Sequence, residues 1–270
     1  MINFIDNLDF TVLALIAASL VSLMTSYIGV MVVLRRIAFV GATLAQLATA
    51  GIALSGLMEI PCNLGAVIMM LLGVGFFAQQ DSRQRLPSEG LIAAAYVASG
   101  ALAVIFIALA PHTDSDMLGL LFGNILAVSA KDLLFMLAVL LLITATNIFF
   151  YKEFLLTSFD PMMAQALGYN VKLWNWLFYL SLGLAIATAI HTAGVLLVFS
   201  MLVLPPLTGL SLSKKWNWVW INSTITSLLA VFGGVWLSIN KDLPTSASII
   251  TISCALFLLA LVWQKITTRN

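Results

Sequence analysis

Nine stretches of this chain read as continuous apolar runs, near residues 10–34, 38–58, 62–79, 90–110, 133–151, 174–190, 192–212, 217–239 and 245–264. A helix needs roughly 20 apolar residues to cross ~30 Å of hydrocarbon, and most of these runs meet that length. None shows the alternation of a barrel strand. Almost all of the charged residues, twelve basic and eleven acidic in 270, fall in the short breaks between runs or at the chain's two ends. The pattern predicts an all-α membrane protein, a polytopic helical bundle of eight or nine transmembrane helices. The 174–212 stretch leaves that count open. It reads as two short spans joined at His191-Thr192-Ala193-Gly194, or as a span plus a re-entrant piece. With no linker or low-complexity tract, residues 1–270 read as one transmembrane domain. The first run is followed by Arg35-Arg36 and preceded by no basic residue, so it reads as a retained span and not a cleaved signal.

Composition agrees: 62% of residues are hydrophobic and the mean hydropathy is +1.09. A soluble core of this size does not hide so much apolar surface. Charge sets the orientation. With Arg35 and Arg36 in the cytoplasm and alternating spans, the inside set is Arg35, Arg36, Arg83, Arg85, Lys152, Lys172, Lys214, Lys215, Lys265 and Arg269. Only Lys131 and Lys241 fall outside. That asymmetry follows the positive-inside rule. It predicts a multi-pass protein of the cell (inner) membrane with its N-terminus outside and its C-terminus cytoplasmic.

The same charge pattern narrows function. An ion-coupled carrier uses an ionisable group near the bilayer midplane, and no span interior carries one. There is no Gly-x-x-x-x-Gly-Lys-[Ser/Thr] phosphate loop either, so the chain does not hydrolyse ATP by that route. It reads as no enzyme, with energy for transport supplied by a partner. An ATP-independent channel stays open as the alternative. Cys62 and Cys254 read as small hydrophobes. Trp174, Trp176, Trp216, Trp218 and Trp220 read as an interfacial aromatic belt.

The longest inside loop, residues 151–172, holds a short helix. Asp160 is placed to cap it, Pro161 suits its first position and Gly168 its stop. Met162, Met163, Ala166 and Leu167 give it an apolar side. It either connects two spans along the surface or docks a cytoplasmic partner.

Four stretches resemble the permease subunits of bacterial ABC importers for zinc, manganese and iron. They are Val33-Leu34-Arg35-Arg36-Ile37-Ala38-Phe39-Val40-Gly41, Leu121-Phe122-Gly123-Asn124-Ile125-Leu126-Ala127-Val128-Ser129, Ser158-Phe159-Asp160-Pro161 through Ala166-Leu167-Gly168, and Gly194-Val195-Leu196-Leu197-Val198 with Leu202-Val203-Leu204-Pro205-Pro206. The resemblance implies a homodimer served by cytoplasmic ABC ATPase subunits and an extracytoplasmic solute-binding protein. It implies that the helix at 160–168, with Asp160, Pro161, Ala164 and Gly168, couples the chain to the ATPase. It implies no cofactor and no nucleic-acid partner; membrane lipid surrounds the chain.

The sequence departs from that family at one place. Its second span typically begins Gly-Asp-x-x-x-His, which puts a carboxylate and an imidazole on one side of a helix. Here the stretch is Gly41-Ala42-Thr43-Leu44-Ala45-Gln46. Ala42 has no ligand atom, and Gln46 offers only a neutral amide. One reading keeps a bare divalent ion in transit past weak neutral groups such as Thr43 and Gln46. The other makes the cargo a chelated metal or small organic solute. Outside the spans, His112, Asp114 and Asp116 form an acidic loop that either gathers metal or meets a partner.

Overall fold

Residues that are apolar all round a helix leave no polar face to turn toward water, so such a helix is buried in protein or lipid. The chain builds ten of its helices in this way or as short connectors between them, as a computed structural model shows. It describes residues 10–58, 60, 62–79, 88–109, 130–213 and 215–267, and these contain no strand. In chain order the helices are α1 (Phe10–Leu34), α2 (Ala38–Met58), α3 (Cys62–Ala78), α4 (Ser88–Leu109), α5 (Ala130–Phe149), α6 (Tyr151–Phe159), α7 (Pro161–Ala166), α8 (Val171–Leu212), α9 (Trp216–Lys241) and α10 (Thr245–Thr267).

Seven segments among the described residues are long and apolar enough to cross a membrane, or eight if α5 and α6 form one bent span. The expected eight or nine is therefore met only at its lower end, and only with that bent pair counted. Two physical features account for the difference. Helix α3 has 17 residues, about 26 Å at 1.5 Å per residue, short of the hydrocarbon thickness. Helix α5 stops at Phe149, and the chain turns by 73° into α6. The 174–212 stretch resolves into two spans, Val171–Ile190 and Thr192–Leu212. Between them Gly194 takes φ 77° and ψ 160°, a conformation that breaks the helical ladder. A side chain there is strained by about 1–3 kcal/mol, because the region is essentially open to glycine alone.

Two compact units emerge from the chain's contacts. One comprises residues 1–38, 121–137 and 191–270; the other comprises 39–120 and 138–190. In the first, α1 and α9 meet through small and hydroxylic residues. Ser223 Oγ donates to the Ser26 carbonyl at 3.4 Å, and Trp220 Nε1 donates to the Tyr27 carbonyl at 3.4 Å. The Tyr27 and Trp220 rings stack at 5.9 Å. Gly29 faces the Leu202 carbonyl and the Pro206 ring. Pro206 has no N–H to give that carbonyl, and a Cβ at position 29 would collide with it.

In the second unit, α2 and α3 approach backbone to backbone. A Cβ on either Gly51 or Gly65 would strike the carbonyl of the other. Close approach through small residues is how helices gain contact in lipid, where no hydrophobic effect drives them together. Gly183 of α8 seats against Met70 and Val74 of α3. Several buried hydroxyls are satisfied within their own helices. Thr25, Ser55, Thr188 and Thr208 each donate to the carbonyl four residues back, at 2.7, 2.9, 2.9 and 2.8 Å. An unsatisfied group in hydrocarbon costs several kcal/mol, so this pairing is what admits them.

Gly194→Ala is expected to lower the thermal unfolding midpoint of the detergent-purified protein by several degrees. Gly100→Ala, in a helix where an added Cβ meets open space, is expected to be neutral or stabilising by about 0.5–1 kcal/mol. Fluorescence-detected size-exclusion after a heating series measures both.

Candidate functional site

The connector between α5 and α8 is built by local chemistry that sequence reasoning could follow. Asp160 Oδ accepts a hydrogen bond from the Met163 N–H at 2.9 Å, capping one of the donors that a helix start leaves free. Pro161 occupies the first helical turn. At the far end Gly168 adopts φ 86°. Its N–H donates to the Gln165 carbonyl and the Tyr169 N–H donates to the Ala164 carbonyl, both at 3.0 Å. These two bonds form a Schellman stop. The helix predicted at 160–168 thus has six helical residues between a side-chain cap and a glycine cap, with two different chemistries fixing its length.

Burial divides this short helix sharply. Ala164 is fully buried, while Met162 is 81% exposed. Met163, Leu167 and Phe159 are also more than half exposed. The helix rests on one small residue and turns a flexible, apolar face outward. Large exposed apolar patches on a chain's surface mark contact with another molecule.

Its mounting was not anticipated from sequence. Phe154 of α6 is buried, and its ring lies 5.4 Å from Trp174 and 6.5 Å from Phe178, both on α8. Phe150 at the α5–α6 bend lies 5.1 Å from Trp174. These edge and tilted contacts tie α6, and through it α7, to the first half of α8. The signal was present as two aromatic pairs at helical spacing, Phe150 with Phe154 and Trp174 with Phe178. Reading Trp174 only as part of an interfacial belt missed it.

The candidate path residues sit differently. Ala42 and Thr43 are buried in α2. The Thr43 hydroxyl donates to the Phe39 carbonyl at 2.9 Å and lies 3.4 Å from the Ile92 carbonyl of α4. It ties two helices together. Gln46 is half-buried in the same helix. No group of three or more His, Cys, Asp or Glu residues suited to a metal ion occurs among the described residues. The loop with His112, Asp114 and Asp116, the 121–129 motif and the side chain of His191 lie outside them. Thr43 and Gln46 are on one helix, and α7 is on a separate connector.

Among the described residues, seven segments are long and apolar enough to cross a membrane, and one short helix is capped at both ends. The sequence over residues 7–264 matches the ABC 3 transport family, and the chain belongs to that family. It is similar to the manganese transport system membrane protein MntC of Halalkalibacterium halodurans, with 31% identity over 95% of this chain and 89% of that protein. It is 32% identical to a Haemophilus influenzae protein described as a probable iron transport system membrane protein, over 95% of this chain and 94% of that one. Among solved structures, PsaBC from Streptococcus pneumoniae in complex with Fab superposes with a TM-score of 0.83. That chain is 26% identical, and the match covers 96% of this chain and 93% of that one.

Asp160→Ala is expected to cost the helix about 1 kcal/mol. Gly168→Val is expected to cost about 1–2 kcal/mol through the backbone alone, since nothing lies within 4 Å of an added Cβ. Hydrogen exchange of the amides of residues 162–169 measures both losses, and the α9 amides serve as the unaffected reference.

Proposed function

We propose that the chain is the transmembrane subunit of an ABC importer for a divalent metal ion, manganese, iron or zinc. In this reading α7 docks a separate cytoplasmic ATPase. The observation that carries it is the outward face of Met162, Met163 and Leu167 on a helix whose two caps fix its length. Methionine is flexible and polarisable, which suits contact with a groove on another protein. ATP-driven closure of two ATPase subunits would displace α7, and the Phe154–Trp174–Phe178 contacts would pass that displacement to α8. Membership of the ABC 3 transport family and the metal-transport relatives support the cargo class. The chain itself carries out no bond chemistry.

The positive-inside pattern supports an orientation with α7, Arg35, Arg36 and the C-terminus in the cytoplasm and the N-terminus outside. An extracytoplasmic binding protein would deliver cargo to the opposite face. The assembly would be a homodimer, with one ATPase per permease. We include α3 and the bent α5–α6 pair among the membrane-embedded helices. With these, the spans number nine and form one transmembrane domain.

A second reading rests on Ala42 and Gln46. A bare divalent ion facing neutral groups loses several kcal/mol of hydration that no carboxylate returns. A chelated metal would cross without that penalty. The two readings divide on one variant. Ala42→Asp combined with Gln46→His restores a carboxylate and an imidazole one turn apart. If a bare ion passes this point, the purified double variant is expected to bind manganese or zinc at least tenfold more tightly than the parent. Isothermal titration measures it, and unchanged binding of both ions would turn the account toward the chelate.

The coupling assignment has its own test. Ala164→Leu overfills the buried seat of α7, and such overpacking costs about 1–3 kcal/mol. ATP-dependent metal uptake by reconstituted permease and ATPase is expected to fall more than fivefold. Full uptake by this variant at wild-type ATP turnover would remove α7 from the coupling route.

A further inference from the structure

Beneath the 73° bend between α5 and α6 lies a cavity of about 160 Å³. Its walls include Leu142, Ile143 and Thr146 of α5, Phe150 and Phe154 at and after the bend, and Leu177, Leu180, Ser181 and Leu184 of α8. Only two lining side chains carry polar atoms, and both are satisfied within their own helices. Thr146 Oγ1 donates to the Leu142 carbonyl at 2.9 Å, and Ser181 Oγ donates to the Phe178 carbonyl at 2.8 Å. A water molecule would find few free partners here, and an apolar cavity of this size stays dry and accepts hydrocarbon.

The cavity opens sideways. Leu142, Phe150 and Leu177 on its walls are 56%, 43% and 40% exposed. The exposed face continues through Leu141, Ile148, Phe149 and Leu173 on the same helices, which is the face an apolar span turns to lipid. Lys152 follows the bend directly, and Lys172 precedes Trp174, whose ring lies against Phe150. Both lysines are exposed. Against them stands one acid near the bend, Glu153; Asp160 lies beyond the far end of the nine-residue α6, at the α7 cap. The rim therefore carries a net positive charge beside an apolar slot.

We propose that this cavity holds the end of one acyl chain of an anionic phospholipid, whose headgroup lies at Lys152 and Lys172. The lipid sits against Phe154 and Phe150, the rings that hold α6 to α8. Its binding depends on neither the cargo nor the ATPase, so the site stands or falls apart from the transport reading.

The test uses the full-length protein in nanodiscs doped with a phosphatidylglycerol or a phosphatidylcholine carrying a diazirine in its acyl chain. After illumination, mass spectrometry locates the adducts. Adducts on residues 142–154 and 177–184 are expected to exceed those on the exposed face of α10 several-fold. Phosphatidylglycerol is expected to label about fivefold more than phosphatidylcholine, as two interfacial lysines favour an anionic headgroup. Lys152→Gln with Lys172→Gln should abolish that preference. Ser181→Phe fills the cavity and should remove the adducts from both segments while α10 labelling stays. Thr146→Phe, at the rim and outside the buried core, repeats the block should Ser181→Phe fail to fold. Labelling no greater than on α10, labelling untouched by a folded filling variant, or equal labelling by the two lipids would each reduce the cavity to ordinary boundary lipid and overturn the proposal.

Discussion

A peptide group without a hydrogen-bond partner costs several kcal/mol in hydrocarbon. Among the described residues, the chain meets that constraint by forming helices across its apolar runs. It meets it again by returning buried hydroxyls such as Thr25, Ser55 and Thr208 to their own helical carbonyls. Among the described residues, three positions that interrupt the ladder have a visible accommodation. Gly194 takes a backbone conformation that other residues resist, and Pro206 leaves a carbonyl that only Gly29 lets α1 approach. Phe150 turns the chain by 73° and is held there by Trp174.

The bend at Phe150 gives the connector its geometry. Helix α6 is pinned through Phe154, and α7 is then fixed in length by Asp160 at one end and Gly168 at the other. A loop of twenty-two residues, 151–172, could have been a flexible tether. Two caps and an aromatic mount make it a rigid strut instead. Stiffness is what a part needs if force applied at its exposed methionines is to reach a membrane span, so the packing and the proposed function rest on the same few contacts.

Much of this was legible in the chain. Hydrophobic run length gave the spans to within a few residues because lipid forbids the polar interruptions that blur helix ends in soluble proteins. The caps of α7 were legible because Asp, Pro and Gly act through their own backbone neighbours. The Gly194 break was foreseen as a junction, although not as a single strained residue. The count of spans was not legible to one unit, since α3 is simply short and α5 ends in a bend that no proline announces. The mount formed by Phe154, Trp174 and Phe178 depends on contacts about twenty residues apart. Thr43, singled out for a path, also lies 3.4 Å from the Ile92 carbonyl of α4, a contact that the sequence does not announce. Sequence pattern reports a hydroxyl in a span, but it does not report which carbonyl the hydroxyl finds.

The central claim is that α7 is the contact point for the ATPase. A single cysteine at its most exposed position, Met162→Cys, tests it most directly when the permease is co-expressed with its ATPase and treated with a short bifunctional thiol reagent. The account predicts a covalent adduct between the two subunits from position 162 and none from Leu243→Cys in the turn between α9 and α10. An adduct from position 243 with none from 162 would contradict it.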